Sequence, residues 1–233
     1  MSDYLMPSKQ KITASELPRA ILIDYEGNID RAPTLLGWRI DGQTTAAIIE
    51  DAFETCSDRY RAKGIFQRQH KKLAVDLIEQ ACDEDRVVIS WSEHDLRVMS
   101  QILSPKNQSR LMHRYRNAIA TARPWHYKIE QVRAPTGELA YFNKLLGFPI
   151  PDRYGTGKVG QGLRLIRNQL NEGRDYAELT PKARASWVAI VKHNALDLRS
   201  MEYVLRSMLQ LPPQESTSGQ LALTLIQESM GTD

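Results

Sequence analysis

The chain has 233 residues, of which 42% are hydrophobic and 25% charged, so it can bury a sizeable core and wholesale disorder is excluded. Lys and Arg exceed Asp and Glu by 31 − 28 = 3 charges, a mildly basic balance that is compatible with nucleic acid but does not by itself require it. Two cysteines, Cys56 and Cys82, are too few for a disulfide framework or a cysteine-based metal site, which favours a reducing, cytoplasmic compartment.

The first third of the chain is predicted to start as a flexible lead-in and to continue as strands. Residues 1–18 lack hydrophobic periodicity, and they lack the charged start and apolar run of a signal peptide. Apolar runs predict a meander of three strands, at residues 20–23, 35–40 and 44–49, with Asp41-Gly42 as the hairpin signal before the third. The charged stretch 58–82 predicts a long helix with a basic first half.

The rest of the chain combines one further strand with several helices. Residues 86–91 predict the strand, and Ser92 is the expected cap of a short helix after it. Later helices are predicted over 136–146, after the glycine-rich turn 155–162, and from Thr180-Pro181 to about residue 209. This order predicts a single α/β domain with a mixed sheet over 19–210 and a C-terminal helix in 211–233. No stretch approaches ~18 apolar residues, so no membrane contact is predicted.

Asp24 and Glu26 are the first residues that indicate chemistry. In a strand, residues two apart point to the same face, so both carboxylates would project together from the end of an apolar strand. Two carboxylates held so close repel each other unless they are protonated or bridged by a cation, and oxygen ligands favour Mg²⁺ or Mn²⁺. The alternative is that both are ordinary residues at a strand end.

Two later segments carry further acidic residues. Asp95 lies just beyond the strand 86–91; alternatively, it is the reciprocal partner of Ser92 in a helix capping box. His193 and Asp197 are four residues apart on a predicted helix and therefore share one face. Their alternative interpretation is an exposed or supporting His–Asp pair.

Taken together, these segments resemble the three motifs of the DEDD exonuclease superfamily, whose fold is ribonuclease-H-like. The resemblance covers roughly residues 20–208 and rests on three sequences: Ile-Leu-Ile-Asp24-Tyr-Glu26-Gly, Val-Val-Ile-Ser-Trp-Ser-Glu-His-Asp95-Leu and His193-Asn-Ala-Leu-Asp197-Leu. The chain is most similar to stand-alone predicted nucleases whose final motif is Tyr-Asn-x-x-Asp. It carries His193 where that group usually has Tyr, and Leu198 where histidine-type members usually have Asp.

The resemblance implies hydrolysis of a phosphodiester with two divalent ions, Mg²⁺ or Mn²⁺, about 4 Å apart. Asp24 would bridge both ions, Glu26 and Asp197 would complete the ion that binds the attacking water, and Asp95 would hold the second ion. His193 would accept the proton of that water, since an imidazole can do so at neutral pH. All five residues are thus predicted to be catalytic, and the four carboxylates to be the metal ligands.

Basic residues with interleaved aromatic rings suggest where nucleic acid binds. From Lys106 to Arg133 there are seven Lys and Arg against one acid, a combination that suits a single strand with stackable bases. Within this region we expect contacts from Arg110, Arg114 and Arg116. The letters of Gly155-Thr-Gly-Lys158-Val-Gly match a dinucleotide-binding pattern but follow no apolar strand, so no nucleotide cofactor is predicted. Lys158 stays a candidate phosphate contact.

The predicted function is a metal-dependent 3′–5′ exonuclease acting on single-stranded DNA or RNA, with the direction of attack implied by the resemblance alone. One alternative is a structure-specific endonuclease on the same fold. Another is a non-catalytic nucleic-acid-binding module that keeps the carboxylates as part of its structure.

Overall fold

A six-stranded sheet forms the centre of the computed structural model, which describes residues 10–28, 32–57, 65–151 and 158–212. The strands are β1 (Ile21–Glu26), β2 (Leu35–Ile40), β3 (Gln43–Ile48), β4 (Ile65–Gln67), β5 (Val88–Ser90) and β6 (Tyr115–Asn117). Their order across the sheet is β4-β3-β2-β1-β5-β6. β1 to β3 pair as an antiparallel meander, whereas β5 runs parallel to β1, β6 parallel to β5 and β4 parallel to β3. The mixed sheet of the sequence prediction is confirmed.

The hairpin between β2 and β3 follows directly from its two turn residues. Asp41 and Gly42 both have positive φ angles, 49° and 81°. A two-residue turn of this conformation matches the twist of antiparallel strands, and Asp-Gly is one of its preferred sequences. The turn fixes the register of β2 and β3, in which Ile40 pairs with Gln43. On its other side β2 pairs with β1, and Gly37 lies opposite Asp24.

Within the described residues, seven α-helices cover the two faces of the sheet. They are α1 (His70–Asp83), α2 (Glu93–Gln101), α3 (Pro105–Arg114), α4 (Ala118–Glu130), α5 (Leu139–Leu146), α6 (Lys158–Asn171) and α7 (Pro181–Met208). Ile21, Ile23 and Tyr25 pack in one core cluster with residues of α1, α2 and α3. Leu22 belongs to a second cluster with residues of α4, α5 and α7, and α6 packs on the first half of α7 in a third. Alternate β1 side chains therefore enter opposite cores.

The long helix α7 lies against β1, β2 and β3 and positions the last predicted motif. It begins as predicted, since the Thr180 side chain accepts a hydrogen bond from the Ala183 N–H and Pro181 occupies the first turn. The apolar stripe docks the helix in two places. Trp187 and Ile190 enter the core beside α6, whereas Leu198 and Met201 enter the core beside α4 and α5.

Three predicted helix starts are wrong, and so is the predicted flexibility of the lead-in. The glycine-rich turn predicted over 155–162 is helical from Lys158, the first residue of α6. The helix predicted over 58–82 begins only at His70, because Ile65–Gln67 forms β4 by pairing with β3, a partner that local periodicity does not reveal. The helix predicted over 136–146 begins at Leu139. The lead-in is packed where it is described, because Ile12 and Leu17 are buried in the core beside α4 and α7.

Other predictions fall on residues outside those that the structure describes. They are the start of the lead-in, the basic first half of the predicted helix, the first three residues of the glycine-rich turn and the C-terminal helix, at residues 1–9, 58–64, 155–157 and 213–233. Among the helices of the described ranges, none is both long enough and apolar enough to cross a membrane.

Candidate active site

β1 brings two of the predicted carboxylates to the face of the sheet that α7 covers. Tyr25 points the other way, where its hydroxyl lies 2.8 Å from the Nε2 of His70 in α1. Asp24 and Glu26 alternate with it and therefore face α7. Glu26 is buried at 8% exposure, and Asp24 is half-buried. The strand extends to Glu26, so both carboxylates belong to the strand, and pairing with β2 holds their backbone in place.

Asp95 reaches the same strand from the first turn of α2. Ser92 caps this helix by accepting a hydrogen bond from the His94 N–H at 3.3 Å. The Asp95 carboxylate instead accepts the backbone N–H of Tyr25 at 3.2 Å, so it points at β1 between Asp24 and Glu26. The capping-box interpretation of Asp95 is therefore wrong, and the carboxylate is placed with the pair on β1.

One face of α7 brings His193 and Asp197 to Glu26. The Nε2 atom of His193 lies 3.5 Å from Oδ2 of Asp197 and 3.9 Å from Oε1 of Glu26. One side-chain ligand atom from each of these three residues lies within 4.8 Å of the other two. Residues 26 and 197 are 171 positions apart in sequence, so this contact depends on the docking of α7 across the sheet.

Asn194 is a site residue that the sequence analysis missed. Its side chain is fully buried, and its Nδ2 donates hydrogen bonds to the Asp24 Oδ2 at 2.8 Å and the Asp24 backbone oxygen at 3.1 Å. Gly37 makes room for it, because a Cβ at that position would lie 1.8 Å from Asn194 Oδ1. The available signal was a polar residue within the apolar stripe of an amphipathic helix, since buried polar groups need partners.

Burial and repulsion by neighbouring carboxylates raise the pKa values of Asp24 and Glu26. Burial raises the pKa of Asp24 well above its usual range, and the charges of Glu26, Asp197 and Asp95 raise it further. Burial and the charges of Asp197 and Asp95 do the same to the pKa of Glu26.

The other two carboxylates are affected in the same direction. Burial raises the pKa of Asp95 to about 7 against the opposing hydrogen bond from Tyr25. Burial also raises the pKa of Asp197, while nearby His193 lowers it. Four carboxylates, with no Lys or Arg partner among the described residues, are thus costly to ionise together without a cation.

This donor set fits a divalent metal ion. Carboxylate oxygens with one imidazole are ligands that Mg²⁺ and Mn²⁺ accept, and a bound ion would offset the repulsion that raises the four pKa values. Three of the ligand atoms already lie within one coordination sphere of each other. Asp24 and Asp95 complete the set from the adjoining strand and helix.

A cleft of about 740 Å³ opens beside the carboxylates, and His193 and Asp197 form part of its wall. Apolar side chains provide much of the remaining lining: Trp91, Ile119, Phe148 and Ile150. Asn143 also lines the cleft; its Nδ2 donates to Ser200 Oγ at 3.1 Å, while its buried Oδ1 has no hydrogen-bond partner within the described ranges. The cleft therefore offers apolar walls next to the acidic cluster.

The arginines predicted to bind nucleic acid lie elsewhere. Arg114 pairs with Asp85, and Arg116 pairs with Glu16 at 2.6 Å. Asp85 precedes β5 and Glu16 precedes β1, so both ion pairs lie at the edge where these parallel strands begin, opposite the carboxylates. Arg110 is half-buried on α3, on the sheet face that α7 does not cover. The structure does not bring these three arginines to the site.

The remaining residues predicted to bind nucleic acid are Lys158 and the aromatic residues of the basic stretch. Lys158 begins α6, and Gly160 two residues later lies against Asn28, which follows β1; Lys158 is thus near the edge that carries Glu26. Tyr115 is fully buried and cannot stack on a base, whereas Tyr127 is 55% exposed. The prediction that aromatic rings of this region stack on bases is therefore wrong for Tyr115 and stays a prediction for Tyr127.

Compared with known proteins, the chain matches no family model, no curated protein and no solved structure.

Proposed function

We propose that the protein is a metal-dependent nuclease, and specifically a 3′–5′ exonuclease that hydrolyses single-stranded DNA or RNA. One observation carries the proposal. Asp24, Glu26, Asp95 and Asp197 come from a strand and two helices far apart in sequence, and they converge on one buried site that faces a cleft. Such a cluster raises its own pKa values, a pattern that is typical of functional sites.

The topology supports a ribonuclease-H-like fold. Three antiparallel strands form a meander, and two parallel strands continue the sheet beyond β1. The motif order also supports membership of the DEDD superfamily, since the acidic residues lie on the first strand, on the helix after β5 and on the last described helix. The 3′–5′ direction comes from that resemblance.

The carboxylates, Asn194 and His193 have different roles in the proposed hydrolysis. Divalent ions bound by the four carboxylates would supply the positive charge that offsets the phosphate and the charge developing on its oxygens. Asn194 orients Asp24 by hydrogen bonding to its carboxylate and its backbone. His193 holds Nε2 between two carboxylates, where it can take a proton from a water molecule bound at the same place.

The cleft supports an extended, unpaired strand as substrate. Its walls include aromatic and aliphatic side chains against which a base can pack, and it ends at His193 and Asp197. A strand end placed there would bring its last phosphodiester to the carboxylates. Lys158, near the same edge, is the predicted residue best placed to contact a phosphate.

The decisive assay uses 5′-labelled single strands with Mn²⁺ or Mg²⁺. The parent protein and Asp24→Asn are compared, with Asp76→Asn as control because Asp76 is exposed on α1, on the other face of the sheet. We expect stepwise shortening from the 3′ end that is lost in Asp24→Asn and retained in the control. Internal cuts would support the endonuclease instead. Binding without turnover would support the non-catalytic module.

A further inference from the structure

A second cavity, of about 620 Å³, lies between the C-terminal half of α4 and the segment that follows it. Its lining combines positive charge with an aromatic ring and prolines: Arg123, Pro124, Tyr127, Arg133, Pro135 and Thr136. None of these residues takes part in the acidic cluster. The cavity is therefore a separate feature that the catalytic proposal leaves unexplained.

The two arginines of this cavity are available to bind an anion. Arg123 and Arg133 are both exposed, and neither pairs with a carboxylate in the part of the chain that the structure describes. Arg114 and Arg116, by contrast, have their charges offset by Asp85 and Glu16. Two guanidinium groups lining one cavity favour a phosphate, which accepts their hydrogen bonds in a forked arrangement.

The tyrosine beside them offers a stacking surface. Tyr127 is four residues after Arg123 on α4, so both side chains lie on one face of the helix. Tyr127 is 55% exposed, and it lines the cavity together with both arginines. Exposed aromatic rings next to arginines are the features that proteins use to bind unpaired bases and their phosphates.

Gly137 connects this cavity to the catalytic cleft. It lines the cleft together with His193 and Asp197, and its backbone oxygen accepts the Trp91 Nε1–H at 2.7 Å. On the other side, a Cβ at Gly137 would lie 2.8 Å from a guanidinium nitrogen of Arg123. The two cavities therefore share a thin wall, and Thr136 lines the basic one.

We propose that the basic cavity binds a nucleotide of single-stranded nucleic acid, with its phosphate on Arg123 and Arg133 and its base on Tyr127. The position of that nucleotide, upstream of the strand end in the cleft, rests on the proposed function. Binding itself does not, because the cavity uses neither the carboxylates nor a metal ion. The site would increase the affinity of the protein for longer strands, whereas a dinucleotide is too short to reach it.

Binding in EDTA tests the cavity without hydrolysis. Fluorescence anisotropy is measured with labelled strands of 2 and 12 nucleotides for the parent, Arg123→Gln/Arg133→Gln and Tyr127→Leu. For the longer strand we expect about 10- to 100-fold weaker binding by the double variant and about tenfold weaker binding by Tyr127→Leu. The slope of log affinity against log salt should fall by about 0.7 in the double variant, because both arginines contact the same phosphate and one lost phosphate contact on a single strand contributes about 0.7.

A matched control separates the cavity from net charge. Lys71→Gln/Lys72→Gln removes the same charge from exposed positions on α1, on the other face of the sheet, and should change affinity less than twofold. Tyr127→Phe keeps the ring and should bind like the parent. Equal losses in the lysine and arginine variants, or parental affinity in the arginine variant, would overturn the proposal. So would equally strong competition by poly-glutamate of matched charge, because it cannot stack.

The hydrolysis assay distinguishes the two proposals. If the parent hydrolyses strands, the arginine variant should show a raised KM on the 12-nucleotide strand and unchanged kinetics on the dinucleotide. If the parent hydrolyses nothing but binds in EDTA through Arg123, Arg133 and Tyr127, the cavity site stands and the exonuclease proposal fails. If the parent hydrolyses strands and the arginine variant has the same KM on the 12-nucleotide strand, the exonuclease proposal stands and the cavity site fails.

Discussion

Asn194 donates its side-chain N–H to the carboxylate of Asp24 at 2.8 Å and to the backbone oxygen of the same residue at 3.1 Å. This hydrogen bond lowers the pKa of Asp24, against burial and three neighbouring carboxylates that raise it. Asn194 therefore supports the ionised form of Asp24 and fixes its orientation. It can do so because Gly37, opposite Asp24 on β2, has no side chain.

Replacing Asn194 should impair the site without removing any carboxylate. In Asn194→Ala, Asp24 loses its donor, and we expect about 10- to 100-fold lower kcat/KM on single strands and a higher Mn²⁺ concentration for half-maximal rate. Asn194→Asp adds a buried negative charge and should be worse. Asn168→Ala, at an exposed position of α6, is the control. Parental metal dependence in Asn194→Ala would refute this role.

Gly37→Ala should destabilise the fold through one specific clash. The added Cβ would lie 1.8 Å from Asn194 Oδ1 and 2.9 Å from Leu198 Cδ1, so α7 must shift or Asn194 must turn away. We expect a loss of about 1–3 kcal/mol in urea unfolding. Gly37→Ala/Asn194→Ala should be less destabilised than the sum of the single variants by about 1 kcal/mol, because the smaller side chain relieves the clash.

Gly173→Ala is the comparison for backbone strain alone. A Cβ there meets nothing within 4 Å, but its φ of +84° is unfavourable for alanine, which costs about 1 kcal/mol. Additive effects of the Gly37 and Asn194 substitutions would show that the two positions do not compete for space.

The stability of the metal-free protein should fall as the pH rises from 5 to 7. The pKa of Asp95 is about 7 in the folded protein and 3.8 is its ordinary value, so in this window the folded state holds a proton that the unfolded state has released. Acid therefore stabilises the fold, by up to roughly 1.4 kcal/mol per pH unit for such a group. Asp95→Asn should show a smaller dependence, so its stability relative to the parent should increase with pH.

Thermal unfolding measures this effect, once in EDTA and once in a buffer that contains Mn²⁺ and no EDTA. Taking the difference between variant and parent cancels His70, whose pKa burial lowers to about 4 and whose slope is opposite in sign. At pH 8, Mn²⁺ should raise the Tm of the parent more than it does at pH 5, because the ionised carboxylates bind it. A Tm that Mn²⁺ does not change at pH 8 would contradict the metal site.

His193→Ala should slow hydrolysis while leaving strand binding unchanged. If Nε2 accepts the proton of the attacking water, kcat at pH 7 should fall about 10²- to 10⁴-fold, and the loss should shrink at higher pH, where hydroxide is more abundant. His113→Ala, at an exposed position on α3, should behave like the parent. Full activity of His193→Ala would remove this residue as the base and leave the carboxylates in place.

Much of the fold was predictable because its signals are local. The β2–β3 hairpin follows from Asp41-Gly42, and the start of α7 follows from Thr180-Pro181. The grouping of Asp24 and Glu26 follows from the two-residue period of a strand. The placement of Asp95 and Asp197 beside them came from the order of motifs in a resembling family rather than from spacing.

The rest depended on long-range partners that a single sequence does not display. Arg114 and Arg116 belong to a basic stretch, but their charges are offset by Asp85 and Glu16 from distant segments. The polar Asn194 stands out within the apolar stripe of α7, but its partner Asp24 is identified only by the pairing that places Gly37 opposite Asp24. The same holds for β4, which exists by pairing with β3.

The most direct test of the metal site is the anomalous scattering of Mn²⁺ in crystals of the protein prepared with this ion. We expect two manganese peaks within coordination distance of the carboxylates of Asp24, Glu26, Asp95 and Asp197, and their loss in Asp24→Asn crystals. Manganese absent from these four residues, in crystals where their side chains are accessible and ordered, would contradict this expectation.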